Sequence, residues 1–229
     1  MSDAQWSRTT YRDQTRAQAD ARSSERWSDQ DINYALGLVH MREWKRLLNA
    51  APYFRFATRT IAQDSSGQIA TSALDGGSGD TQERFYRVLD VAQQERVYDE
   101  VSFRDVPTAT TATTTNVLRA WYRIGSTIQC LPVESGASMT VWVNHTPTPM
   151  DRLSSDSAFA EFPRDYEMLI PYETAAWLLV KAGSETDSAS MLQQMAEQIR
   201  QDMLADVARG SVNPLQMRYP DRRQDWGSW

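Results

Sequence analysis

Few side chains in this sequence have the types that chemistry needs, and their spacing limits what they can do. The candidates for nucleophilic work are His40, His145 and Cys130, which are all the histidines and cysteines of the chain. A thiol becomes a nucleophile when a base lies within hydrogen-bond reach and a third group orients that base. Nothing beside these three residues marks an activated site, so they read as structural. Asp99-Glu100, and Glu185 with Asp187, supply the paired carboxylates that glycoside hydrolysis uses. Acids this close in sequence are more often a solvated face. Gly76-Gly77-Ser78-Gly79 lacks the following Lys and helix of a phosphate-binding loop. A single cysteine forms no internal disulfide and excludes a cysteine-based zinc site. No metal and no cofactor is expected, the chain reads as folded in a reducing compartment, and it is not expected to be an enzyme. Asn144-His145-Thr146 matches a glycosylation acceptor by chance, since no secretory route is indicated.

The 229 residues suffice for one large domain or two small ones, and 41% hydrophobic residues allow a sizeable core. No apolar run approaches the roughly 20 residues that span a bilayer. Met1 to Trp27 holds no apolar stretch like that of a secretory signal. The net charge of -6 is uneven: residues 153–210 carry all of it, and the rest of the chain sums to zero. A protein that grips DNA needs a basic footprint, which is missing. A surface past which DNA slides without sticking is still allowed.

The elements that must position these groups follow from apolar period. Residues 1–27 mix Arg8, Arg12, Arg16, Arg22 and Arg26 with acids and show no apolar stripe, so they read as a polar arm, either disordered or loosely helical, or else ordered against a neighbour. Ser28 or Asp29 caps a helix carrying Ile32, Leu36, Val39, Trp44, Leu47 and Leu48, which ends before Pro52. Residues 53–152 change period. Ser65-Ser66-Gly67 and Gly76-Gly77-Ser78-Gly79 predict a long loop, and residues 108–115, nearly all Thr and Ala, an exposed loop or strand tip. A hairpin is expected from Val117 to Ile124, a Gly125-Ser126 turn, and Thr127 to Leu131, because Gly accepts positive φ. Met139, Val141 and Val143 then alternate as one buried face.

Helical period returns after Pro163, with Pro171 predicting a kink or a late start. Gly183 ends that helix, and Ser188, Leu192, Met195, Ile199, Met203 and Val207 predict the buried stripe of the next, up to Gly210. The fold class expected is α+β: an antiparallel helical bundle (28–52 and 153–210), a β-rich insertion (53–152) between the first and second core helices, and extended N- and C-terminal arms (1–27 and 211–229). The last segment contains Pro214 and Pro220 with Met217, Tyr219, Trp226 and Trp229, the side chains of a partner anchor or of a tail folded back on its own domain.

Trp27-Ser28-Asp29-Gln30-Asp31-Ile32-Asn33, Phe162-Pro163-Arg164-Asp165-Tyr166-Glu167-Met168-Leu169-Ile170, and Ala175-Ala176-Trp177-Leu178-Leu179 with Lys181-Ala182-Gly183-Ser184-Glu185 carry a resemblance. With the strand pair Tyr122 to Pro132 and Met139 to Val143, they resemble the head-to-tail adaptors of tailed bacteriophages over roughly residues 27–210. The polar arm before Trp27 and Pro171 depart from that pattern. The resemblance implies a virion structural protein, assembled in the host cytoplasm and placed in the neck between capsid and tail. It implies a dodecameric homo-oligomer ringed beneath the portal protein, extending the DNA channel and offering a platform to the next tail or neck protein, with no membrane partner. Double-stranded DNA would pass through it transiently and without sequence preference. On that reading Met217, Tyr219, Arg222, Arg223, Trp226 and Trp229 dock on the portal, with Arg218 beside them. Some of Glu185, Asp187, Glu197, Asp202 and Asp206 line the channel, where like charge keeps phosphates moving, or else form an outer solvated face. The alternatives are another virion component, such as a tail terminator or tube protein, and a virion-associated wall hydrolase.

Overall fold

In a computed structural model of the chain, the described residues are 5–19, 27–76, 84–94, 96–102, 119–183 and 186–210. They hold four α-helices: α1 (Arg8–Gln18), α2 (Asp29–Ala50), α3 (Leu169–Lys181) and α4 (Thr186–Gly210). They also hold seven strands: β1 (Ala57–Ala62), β2 (Gln68–Ala70), β3 (Arg84–Gln93), β4 (Arg96–Glu100), β5 (Ala120–Ile124), β6 (Thr127–Leu131) and β7 (Ser138–Thr146). Described residues before Arg55 and after Thr146 form one compact unit, and those between form a second.

The expected helical bundle with a β-rich insertion and an extended N-terminal arm is corrected by this architecture, while the C-terminal arm expected at 211–229 lies outside the described residues. The strands make one mixed sheet of order β1-β7-β3-β4-β5-β6-β2, nearly closed into a barrel. Its strands pair far apart in sequence: Ala57 lies opposite Val143, and Ile61 opposite Met139. Local period cannot reveal such pairing, which is why β1 and β2 were not foreseen beside the loop expected from Ser65-Ser66-Gly67 and Gly76-Gly77-Ser78-Gly79. β4 and β5 run parallel, pairing Glu100 with Trp121. β5 and β6 flank the Gly125-Ser126 turn, where Gly125 has φ +55°. Met139, Val141 and Val143 point inward and are fully buried with Ile69, Leu74, Val91, Tyr98, Trp121, Ile128 and Cys130. The loops expected at 76–79 and 108–115 fall outside the described residues, apart from Gly76.

The N-terminal arm is the second correction. From Ser7 onward it is a capped helix: Ser7 Oγ accepts the Thr10 N–H, and Tyr11 is fully buried edge-on to Trp6 at 5.3 Å. Its docking is polar. Arg8, Arg12 and Arg16 recur every fourth residue, and therefore share one helix face. Arg8 and Arg12 hold Asp156, and Arg12 and Arg16 hold Asp29. The Arg8 and Thr9 N–H groups donate to the carbonyls of Ala158 and Asp156, both at 3.0 Å.

In the helical unit α3 packs against α1, α2 and α4. α2 begins with a capping box: Ser28 Oγ accepts the Asp31 N–H at 3.2 Å and Asp31 accepts the Ser28 N–H at 3.3 Å. Pro171 produces a late start. A 3-10 turn at Arg164–Tyr166 precedes α3, and Pro171 then sits in its first turn, where a missing N–H costs nothing. Gly183, at φ +66°, ends it. The stripe of α4 differs from expectation. Ala189, Leu192, Ala196, Arg200 and Met203 are buried, whereas Met195 is 41% and Met191 58% exposed. Small residues at the seam (Ala175 and Ala176 against Ala189) set the face that turns inward.

Candidate assembly surface

The residues suited to catalysis are sealed. His40 on α2 is fully buried beside Trp44 and Phe162, and its Nε2 donates to the Glu161 carbonyl at 2.8 Å. Burial pulls its pKa down to about 4, only partly opposed by that bond. Cys130 lies in the sheet core, where burial pushes the thiol up to about 12 and removes its nucleophile. His145 is buried with Nε2 2.6 Å from the Leu74 carbonyl oxygen. Asp99 and Glu100 are exposed neighbours on β4. Among the described residues no group of three or more His, Cys, Asp or Glu could hold a metal ion, and no helix is long and apolar enough to cross a membrane.

The helical unit instead presents surfaces. Glu43, fully buried in α2, accepts Arg200 Nε from α4 at 2.7 Å and Arg46 at 2.9 Å. Arg200 also reaches Glu173 of α3 at 2.9 Å, and Glu197 of its own helix. Burial alone would lower the Arg200 pKa; the carboxylates of Glu43 and Glu173 outweigh it and raise it. Arg42 closes the network on Glu173 at 2.6 Å. The three helices are thereby bolted together by one ion-pair network.

Beyond that network α2 and α3 expose apolar side chains. One turn from the Arg42–Glu173 pair lie Leu38, 49% exposed, and Trp177, 37% exposed. Tyr34 and Val180, each 55% exposed, extend the strip by a further turn. Lys181 closes this end, with Nζ 5.0 Å from the Trp177 ring centroid. It also reaches Asp31, whose pKa is held low first by Ser28 and then by Lys181.

On α4, Asp187, Met191, Met195, Gln198, Asp202 and Asp206 are all exposed and recur at steps of three and four residues. They form one stripe on one flank of the helix. Glu197 lies off that stripe, lining a hollow with Ser190, Gln193, Gln194, Arg200 and Glu173 of α3. Asp206 accepts the Tyr166 hydroxyl, a bond that leads the causes lifting that phenol to about 12. Of the acids expected at a channel wall, Asp187, Glu197, Asp202 and Asp206 are therefore solvent-facing but divided between two flanks, and Glu185 lies outside the described residues. Met217, Tyr219, Arg222, Arg223, Trp226 and Trp229, and Arg218 with them, also lie outside. The Glu43–Arg200 network and the exposed apolar residues of α2 and α3 were not anticipated. The available signals were Tyr34, Leu38 and Trp177, apolar residues off the expected stripes.

No family model matches the chain. No curated protein matches it.

Proposed function

We propose that this chain is a virion neck protein that works as a head-to-tail adaptor, forming a ring beneath a portal and continuing its DNA channel toward the tail. The observation that supports the reading is the pair of unlike exposed faces on the helical unit. One is the exposed apolar set Tyr34, Leu38, Trp177 and Val180 on α2 and α3; the other is the α4 stripe of Met191 and Met195 between acids. A ring subunit needs two different faces, since each contacts a neighbour on either side. The acid excess of residues 153–210 suits a wall past which phosphates slide, because like charge prevents trapping. The residue types that serve catalysis are used for packing: His40 and Cys130 are buried, with pKa values moved away from useful ranges. On this reading residues 211–229 dock on the portal through Met217, Tyr219, Trp226 and Trp229, and the ring, a dodecamer by the resemblance, gives a platform to the next tail protein. The test is to mix the full chain with the portal of a tailed phage that encodes it and image the product. A ring of density on the portal's outer face is expected. Portal left bare at saturating protein, or peptidoglycan cleavage by the chain alone, overturns the reading.

A further inference from the structure

We infer that α1 is a releasable clasp: it docks and undocks as one unit with residues 153–160, while α2, α3 and α4 stay folded. Two separate sets of bonds divide the helical unit in this way. The first joins α1 and the residues just before it to residues 150–160. The Trp6 carbonyl accepts the Ala160 N–H at 3.2 Å, and Ser7 pairs with Phe159 as an isolated bridge. The Arg8 and Thr9 N–H groups donate to the Ala158 and Asp156 carbonyls, and Thr9 Oγ1 donates again to Asp156 at 2.9 Å. The Arg8 guanidinium reaches three acceptors: the carbonyls of Met150 at 3.2 Å and Leu153 at 3.1 Å, and the Asp156 carboxylate at 2.7 Å. The second set ties α2, α3 and α4 together through Glu43, Glu173 and Arg200, and none of its members lies on α1.

Residues 153–160 have little of their own to hold them. Met150 and Ala160 are buried at the two ends, but Ser154, Ser155, Asp156, Ser157 and Phe159 between them are exposed. They form neither helix nor ladder. Their internal bonds are the Ala158 N–H to the Ser155 carbonyl at 3.2 Å and the Ser155 hydroxyl to the Ser157 hydroxyl at 3.1 Å. Backbone groups in such a segment need partners from another element, and α1 supplies them. The apolar hold on α1 is small in turn. Tyr11 packs edge-on to Trp6 of the same segment, and to the apolar cluster of α3 and α4 the α1 region contributes Ala19 alone. Few buried apolar contacts place an element at the low end of local stability. The rest of the hold is ionic, and open to salt. Asp156 and Asp29, which receive Arg8, Arg12 and Arg16, are 51% and 53% exposed, whereas Glu43 of the second set is 0% exposed. Salt therefore loosens α1 and leaves the α2–α3–α4 network in place. None of these bonds depends on the adaptor reading, and the test needs no portal.

Amide hydrogen exchange of the full chain, read residue by residue, tests the clasp. Residues 12–18 of α1 are expected to exchange roughly tenfold or more faster than residues 36–48 of α2, because α1 opens without global unfolding. Ala158 and Ala160 should exchange at the α1 rate, although the Ala158 N–H bonds within its own segment. Raising salt from about 0.1 M to about 1 M cuts the screening length from about 10 Å to about 3 Å, and should speed α1, Ala158 and Ala160 together while α2 keeps its rate. Arg8→Gln removes the group that holds three acceptors, and should speed the same amides by one common factor of about ten or more. Arg209→Gln takes an equal charge from the exposed pair with Asp206 on α4, and is expected to change neither set. Equal rates for α1 and α2, an Ala158 or Ala160 that keeps its rate while α1 accelerates, no response to salt, or an Arg209→Gln effect equal to that of Arg8→Gln each overturn the inference. If Arg8→Gln fails to fold, the wild-type salt series decides alone.

Discussion

Arg200 of α4 donates from Nε to a carboxylate oxygen of Glu43 over 2.7 Å, and Glu43 has no exposed surface at all. A buried pair of this kind adds little net stability, because desolvating both charges offsets their attraction. Removing one partner is different: Glu43 keeps Arg46 and Arg200 keeps Glu173 and Glu197, but each loses a buried, charge-assisted hydrogen bond. Arg200→Met is expected to destabilise the helical unit by about 1.5–3 kcal/mol, and Glu43→Leu by a similar amount. The double variant Glu43→Leu/Arg200→Met should recover most of that loss. Urea midpoints of the four proteins give the cycle. A double variant as unstable as the sum of the singles would show that the pair is not the coupling between α2 and α4.

Gly37 sits inside α2, where glycine normally costs a helix about 1 kcal/mol relative to alanine. Its reason is Asp151. A Cβ built on Gly37 would fall 2.2 Å from Asp151 Oδ1, 2.7 Å from Cγ and 3.1 Å from Cβ. Gly37→Ala should therefore bring no gain, and is expected to lose about 1 kcal/mol through the forced shift of Asp151. Gly37→Ala with Asp151→Gly should be more stable than Gly37→Ala alone by about 1 kcal/mol or more, as the helix gain is realised. Thermal or urea unfolding of the pair would refute the argument by finding Gly37→Ala stabilising on its own.

Much of the helical pattern is legible in the sequence because helices announce themselves locally. Ser28 and Asp31 form a cap that three-residue spacing foretells, and Ile32 to Leu48 keep period with their burial. The docking of helix α1 on its own chain escaped because it is ionic: a stripe of Arg8, Arg12 and Arg16 holds it to Asp156 and Asp29, and an apolar search passes over a charged period. β1 escaped because Thr58 and Thr60 look like loop residues until Val141 and Val143 pair beside them from eighty residues away. The exposed stripe of α4 was illegible for a further reason. Whether Met195 faces in or out depends on Ala175, Ala176 and Ala189 letting α3 and α4 approach closely, and no property of Met195 itself encodes that.

His40 makes stability depend on pH in a definite direction. Burial lowers its pKa from 6.5 to about 4 in the folded protein. The unfolded chain thus binds a proton at a higher pH than the folded chain does. The stabilisation is fully present above pH 6.5 and is lost as pH falls toward 4, at roughly 1.4 kcal/mol per pH unit inside that window. His40→Leu should flatten this part of the profile while leaving stability above pH 7 dominated by packing changes. The measurement is the difference between wild-type and variant urea midpoints at half-unit steps from pH 7 down to pH 4.5. A constant difference across the window would mean that His40 is not the group responsible.

The C-terminal residues carry the most direct prediction of the adaptor reading. Met217, Tyr219, Trp226 and Trp229 offer large apolar side chains, and Arg218, Arg222 and Arg223 offer orienting charge. Tryptophans that anchor an interface contribute about 2 kcal/mol or more each when desolvated in a pocket. A ring repeats such an anchor on every subunit, and linked copies raise the effective concentration of each next contact, so modest single affinities multiply into a stable joint. Arginines at the rim add little energy in water but fix direction. Deleting residues 214–229 is therefore expected to abolish portal binding while leaving circular dichroism and the urea midpoint close to those of the full chain. Trp226→Ala with Trp229→Ala should weaken binding by roughly a hundredfold or more for each isolated tail. Sedimentation of portal with full-length, truncated and double-alanine proteins reads this directly. If the truncated chain co-sediments with portal as well as the full chain does, the anchors lie elsewhere, and the helical faces described above become the next place to look for the portal contact.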